Sequence, residues 1–192
     1  MGFNPILVAA KVTSVLEKIE VPYFIGGSVA STLHGMVRTT QDIDIVTRLR
    51  PEKIAEFVGA LRDEFYIDEE MVASAVSRHS SFNIIHRETM FKVDIFIPAE
   101  DRFTESQFSR AQQTELETSP RVQAAVASPE DMVLAKLLWY RRGGEVSERQ
   151  WRDILGLLKV QGSALDLDYL RKIAIEIKVA DLLERALKEG KM

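Results

Sequence analysis

The 192-residue sequence predicts an α+β fold, with strands and helices mingled over residues 1–127 and a helical region over 128–192. Three observations carry this expectation. Residues 42–46 and 91–97 alternate between polar and apolar side chains, the period of a half-buried strand. Leu7, Val8, Val12, Val15, Leu16 and Ile19 recur at the spacing of one helix face. Ser128-Pro129-Glu130-Asp131 joins a capping serine, a first-turn proline and an acid three residues after the cap, and from there the chain reads as helix to its end.

Each element follows from local signals. Asn4-Pro5 starts a helix of about four turns, which Pro22 ends. Tyr23-Phe24-Ile25 reads as a short buried strand running into Gly26-Gly27, and a second helix is expected from Ser28 to about Gly35. After the strand at 42–46, a helix with proline in its first turn is expected over 51–65 and another over 68–78. Residues 81–86 and 91–97 form a hairpin around Arg87-Glu88-Thr89, and Pro98 closes it. Over 100–120 a short helix and a strand near 114–118 are expected, then a strand over 121–127. The helical region divides into four pieces at Gly143-Gly144, around Gly162-Ser163 and near Lys178. No glycine- or proline-rich linker separates residues 1–127 from 128–192, so the helical region is expected to pack on the first part.

Composition bounds the function. With 46% hydrophobic and 28% charged residues the chain is an ordinary globular protein, long enough for one good core. It has no cysteine, which removes disulfides, thiolate metal sites and cysteine nucleophiles and fits a reducing cytoplasm. No signal peptide and no membrane-spanning apolar run is legible, so neither secretion nor membrane insertion is expected. A net charge of −4 argues against a surface that grips nucleic acid throughout. A local basic patch of Lys136, Arg141, Arg142, Arg149 and Arg152 is equally well read as a solvated helix face.

The chemistry lies in the acids. On a strand, Asp42 and Asp44 project from one face, about 7 Å apart, while Ile43 and Ile45 enter the core. Such a pair is costly to bury unpaired, and a divalent cation with hard oxygen ligands relieves the repulsion. The strand over 91–97 repeats the pattern, with Lys92 and Asp94 on one face; pairing beside the first strand adds a third carboxylate. Three convergent carboxylates suit two-metal phosphoryl transfer. Gly26, Gly27 and Ser28 close a strand and open a helix, an arrangement that lets backbone N–H groups approach a phosphate.

Gly26-Gly27-Ser28 followed by Arg38-Thr39-Thr40-Gln41-Asp42-Ile43-Asp44-Ile45 resembles the signature of the DNA-polymerase-β-like nucleotidyltransferase superfamily, with Asp94 at the place of the third carboxylate. The Lys92-Val93-Asp94 form, the apolar stretch from Met132 to Lys136 and the Arg152-Asp153 pair look like the AbiEii-type branch, toxin components of toxin–antitoxin pairs; Gly156 stands where that branch has a further Asp. The resemblance spans residues 23–47 and 91–97 closely and 128–156 loosely. It implies a nucleotidyltransferase-type mixed sheet flanked by helices. It further implies two Mg²⁺ ions, or Mn²⁺ in their place, on Asp42, Asp44 and Asp94. Gly26, Gly27, Ser28, Arg38, Lys92, Lys136 and Asp153 would bind an NTP such as ATP, the acceptor would be tRNA or a protein, and an antitoxin would be the partner.

Bland readings compete at several positions. Arg38 is as well explained as a structural arginine, Lys136 as the partner of a core carboxylate, and Asp153 as an ion pair with Arg149. His34, His79 and His86 are scattered and read as structural. Two other functions fit the same residues: a non-catalytic nucleotide-binding or antitoxin-like module, and an aminoglycoside-type nucleotidyltransferase. A phosphatase or glycosyltransferase with Asp-x-Asp at the end of a strand loses, because Val37-Arg38-Thr39-Thr40-Gln41 precedes the acids here.

Overall fold

A computed structural model describes residues 4–27, 30–31 and 42–190. These cluster into two compact units, one drawn from residues 1–29 and 39–126, the other from 30–38 and 127–192. The expected helix at 28–35 lies outside the described residues except for Ala30 and Ser31, which are helical and buried.

The first unit is built on a mixed sheet of seven strands among the described residues: β1 (Tyr23–Ile25), β2 (Asp42–Thr47), β3 (Phe65–Tyr66), β4 (Ser81–His86), β5 (Lys92–Phe96), β6 (Gln112–Thr118) and β7 (Arg121–Val126). Their spatial order is β3-β4-β5-β2-β1-β7-β6. The β4–β5 and β6–β7 pairs are antiparallel hairpins, whereas β2 and β5 run parallel at the centre. One face of the central strands is apolar. Ile43, Ile45, Ile84, Val93 and Ile95 have no exposed surface there, a dry layer that fixes the register, since a one-residue slip would turn each of them outward.

Helices α1 (Pro5–Lys18), α2 (Ile54–Leu61) and α3 (Glu69–Arg78) belong to this unit, with a 3₁₀ turn Pro51–Lys53 leading into α2. The Asn4 side chain caps α1 by accepting the Ile6 N–H at 2.9 Å, as the Asn-Pro signal anticipates. Phe57 of α2 meets Phe82 of β4 edge-to-face at 6.5 Å, which fastens the helix to the apolar face of the sheet. Helix α2 ends four residues earlier than its pattern suggests. Phe65, fully buried, pairs with the β4 edge and meets the His86 ring edge-to-face at 5.2 Å, so tertiary burial overrides helical periodicity. His86 is buried there with its Nδ1 2.9 Å from the Thr89 hydroxyl, a structural histidine.

The opposite face carries α4 (Arg102–Arg110) at one end. Phe108 packs edge-to-face on Phe24 at 5.0 Å, and the Arg48 guanidinium lies 4.4 Å over the Phe108 ring while pairing with Glu105. Phe24 stands opposite Val46 in the β1–β2 ladder, two positions beyond Asp44 on the same face.

The second unit holds α5 (Pro129–Arg142), α6 (Glu148–Gln161), α7 (Leu167–Glu176) and α8 (Ala180–Glu189), around a core that includes Leu134, Leu137, Ile154, Leu157, Leu170 and Leu183. The breaks fall where expected, after Arg142 at Gly143-Gly144, after Gln161 at Gly162-Ser163, and around Lys178. Two buried acids at the start of α5 fasten this unit. Asp131, with no exposed surface, accepts hydrogen bonds from the Ser128 hydroxyl at 2.9 Å and from the Tyr169 hydroxyl, and Glu130 accepts the Asp166 N–H at 3.0 Å. Asp131→Ala strips the Ser128 and Tyr169 hydroxyls of this acceptor, and is expected to lower stability by about 2–3 kcal/mol in urea denaturation.

Candidate active site

The alternation of β2 and β5 puts their polar side chains on the face opposite the core. Asp42 and Asp44 are half-buried while Ile43 and Ile45 are buried, and Lys92 and Asp94 are half-buried while Val93 and Ile95 are buried. The parallel pairing sets Asp44 directly beside Asp94 and Asp42 directly beside Lys92. Neighbouring strands are about 4.8 Å apart, so the carboxylates of Asp44 and Asp94 rise side by side from the sheet, with Asp42 one pleat along. The pairing on which the third carboxylate depended is therefore present.

One ammonium sits among these acids. Lys92 Nζ is 2.6 Å from Asp94 Oδ2 and 3.9 Å from Asp42 Oδ2. The hydrogen bond to Asp94 holds the Lys92 amine above its ordinary value, with the charges of Asp94, Asp42 and Asp44 adding to the effect. Asp94 is the more enclosed acid, 19% exposed against 42% for Asp42.

The glycine turn is pressed onto Asp44. The Gly26 N–H donates to the Asp44 carbonyl at 2.9 Å, extending the β1–β2 ladder past its last paired residues. Gly27 has φ +58°, a left-handed conformation that disfavours side chains, and a Cβ built on it would stand 1.5 Å from Asp44 Oδ2. Any side chain there would force that carboxylate or the turn to move. Ser28 and Arg38, the other expected phosphate contacts nearby, lie outside the described residues.

Among the described residues no three His, Asp or Glu side chains stand in a metal-holding arrangement, and the Lys92 ammonium is the cation that lies against Asp94. The donor set nonetheless suits Mg²⁺ or Mn²⁺. Carboxylate oxygens gathered on one sheet face, one of them against the bare backbone of Gly27, are hard ligands of the kind these ions take.

Sequence reasoning passed over Asn83. It stands opposite Asp94 in the β4–β5 ladder, exposed on the same face as the acids. Alternation with Phe82 and Ile84 placed it away from the core, but only the hairpin register brings it next to Asp94.

Lys136 and Asp153 belong to the helical unit and pair with each other at 3.9 Å, both about one-fifth exposed. Lys136 is partly enclosed, and the carboxylate it pairs with is that of Asp153 on α6. Of the basic cluster, Arg141 is engaged by Asp181 and Glu145, and Arg142 lies over the Trp139 ring.

No family model matches the chain, and no curated protein matches it either. Solved structures do. An antigenic nucleotidyltransferase-like protein from Paracoccidioides brasiliensis superposes with a TM-score of 0.54 at 18% identity, covering 95% of this chain and 91% of that one. The lincosamide antibiotic adenylyltransferase LnuA, solved with lincomycin bound, matches with a TM-score of 0.49 at 18% identity over 82% of this chain and 98% of its own. An antibiotic-resistance factor solved in solution matches at 0.49 and 14% identity, over 94% and 95% of the two chains. At 18% identity the first of these speaks to architecture: the chain has the nucleotidyltransferase-like fold, with a mixed sheet of seven strands among the described residues flanked by helices.

Proposed function

We propose that the chain is a divalent-metal-dependent nucleotidyltransferase, moving a nucleoside monophosphate from an NTP to an acceptor hydroxyl. The observation that carries the proposal is the register of β2 against β5, which sets Asp44 beside Asp94 and one pleat from Asp42, with Gly27 pressed onto Asp44. In this reading Asp42 and Asp44 hold Mg²⁺ or Mn²⁺, and Asp94 shares one ion and orients the acceptor. The bare backbone at Gly26 and Gly27, with Ser28 next to it in sequence, receives the triphosphate. Bound divalent ions supply a lowered pKa at the attacking hydroxyl and charge compensation at the leaving pyrophosphate. The acceptor oxygen bonds to the α-phosphorus as the bond to the bridging oxygen of the β-phosphate breaks, and Asp94 takes up the acceptor proton.

The Lys92-Val93-Asp94 form and the loose match over 128–156 support an AbiEii-like role, with tRNA or a protein as acceptor and an antitoxin as partner. That resemblance also gives Lys136 a triphosphate contact, for which its pairing with Asp153 would have to loosen.

The test is transfer of label from each α-labelled NTP into cell extract with Mg²⁺, run beside an Asp42→Ala, Asp44→Ala control. Label in RNA or protein is the expected result. Label only in small molecules would instead favour an aminoglycoside-type acceptor. No transfer with any NTP, with or without Mn²⁺, would leave a nucleotide-binding module and defeat the enzymatic reading.

A further inference from the structure

Lys92 is the feature that a metal site on these acids does not explain. A cation-binding face gains nothing from a fixed ammonium, since a positive charge a few ångströms from an incoming divalent ion repels it. Yet Lys92 lies in register with Asp42, donates to Asp94 at 2.6 Å and stands 3.9 Å from Asp42, close to both flanking acids. Its side chain is 42% exposed, so nothing in the core holds it there; the acids do. It places one positive charge between Asp42 and Asp94, whose carboxylates otherwise repel one another.

We infer that Lys92 is the resident counter-ion of the acid cluster: it occupies the carboxylates in the unloaded protein and exchanges with the divalent ion, moving onto the nucleotide phosphates as they arrive. This inference rests on the metal-dependent reading of Asp42, Asp44 and Asp94. A lysine suits the exchange because its ammonium is a point charge on a flexible four-carbon stem, able to re-aim without moving the strand. The triphosphate offers the released ammonium a new anion, so ion and nucleotide load together and each strengthens the other's binding.

The test is Mn²⁺ binding to the full chain without nucleotide, read by electron paramagnetic resonance, for the native protein, Lys92→Met and Lys92→Met with Asp44→Asn. Lys92→Met is expected to bind Mn²⁺ about tenfold more tightly than the native protein, the order of one removed unit charge at this distance. Adding Asp44→Asn should abolish the gain. In thermal melts, Lys92→Met and the milder Lys92→Gln should lose Tm in chelator and recover it with Mn²⁺, a larger metal-induced rise than the native protein shows. Equal or weaker Mn²⁺ binding by a folded Lys92→Met would overturn the exchange role. Nucleotide transfer by the native protein in the same preparation would then leave the enzymatic reading standing. Failure of native protein and variant alike to bind Mn²⁺ would remove the metal site and this inference with it.

Discussion

Asp44→Asn is expected to cut nucleotide transfer by about 10³-fold or more while leaving the protein folded, because it removes one charge from the centre of the cluster and changes little else. Asp44 stands beside Asp94 across the β2–β5 ladder and under Gly27, so each proposed function of the face passes through it. Asparagine keeps the shape of the side chain but not its charge, and the loss of repulsion towards Asp94 and Asp42 should hold stability constant or raise it slightly. Transfer of label from an α-labelled NTP and the urea midpoint, measured on the same preparation, separate these effects. A variant with near-native transfer would show that the acid pair is not the metal site; a variant that fails to fold would show that Asp44 is chiefly structural.

Gly27→Ala is expected to be nearly as damaging, for a geometric reason. The added Cβ would fall 1.5 Å from Asp44 Oδ2 and 2.5 Å from its Cγ, and the residue carries φ +58°. Left-handed backbone costs an L-residue about 1–2 kcal/mol, and the overlap forces the carboxylate or the turn to move besides. Displacement of a ligand by about 1 Å is worth roughly 10²-fold in rate. The expected outcome is a folded protein of modestly lowered Tm with transfer reduced about 10²-fold, measured by thermal melt and labelled-NTP assay. Native transfer by Gly27→Ala would mean that the glycine turn and Asp44 are not parts of one site.

These two residues also show what could be read before the fold was known. Alternation in residues 42–46 and 91–97 placed Asp42, Asp44 and Asp94 on solvent-side faces, because apolar residues between them had to enter a core, and the structure buries Ile43, Ile45, Val93 and Ile95 accordingly. The Ser128 cap and the glycine breaks marked the helical unit for the same local reasons. Register is different in kind. That Asp44 faces Asp94, that Lys92 faces Asp42 and that Asn83 joins them depend on strand pairing between distant segments, which no local pattern encodes. Phe65 illustrates the same limit, since its helical periodicity yields to burial against the β4 edge. The contact between Gly27 and Asp44 likewise needs the third dimension; the sequence carries only the glycine pair, and the reason for it is the carboxylate it makes room for.

The central claim, that Asp44 and Asp94 jointly receive a divalent ion against a nucleotide triphosphate, is tested most directly by a crystal structure of the protein with Mn²⁺ and a non-hydrolysable NTP, using anomalous scattering to place the metal. The expected result is a Mn²⁺ ion shared by the Asp44 and Asp94 carboxylates, with phosphate oxygens at the Gly26-Gly27 turn and the Lys92 ammonium moved off Asp94. Nucleotide and Mn²⁺ bound elsewhere, with the Lys92–Asp94 ion pair intact, would contradict it.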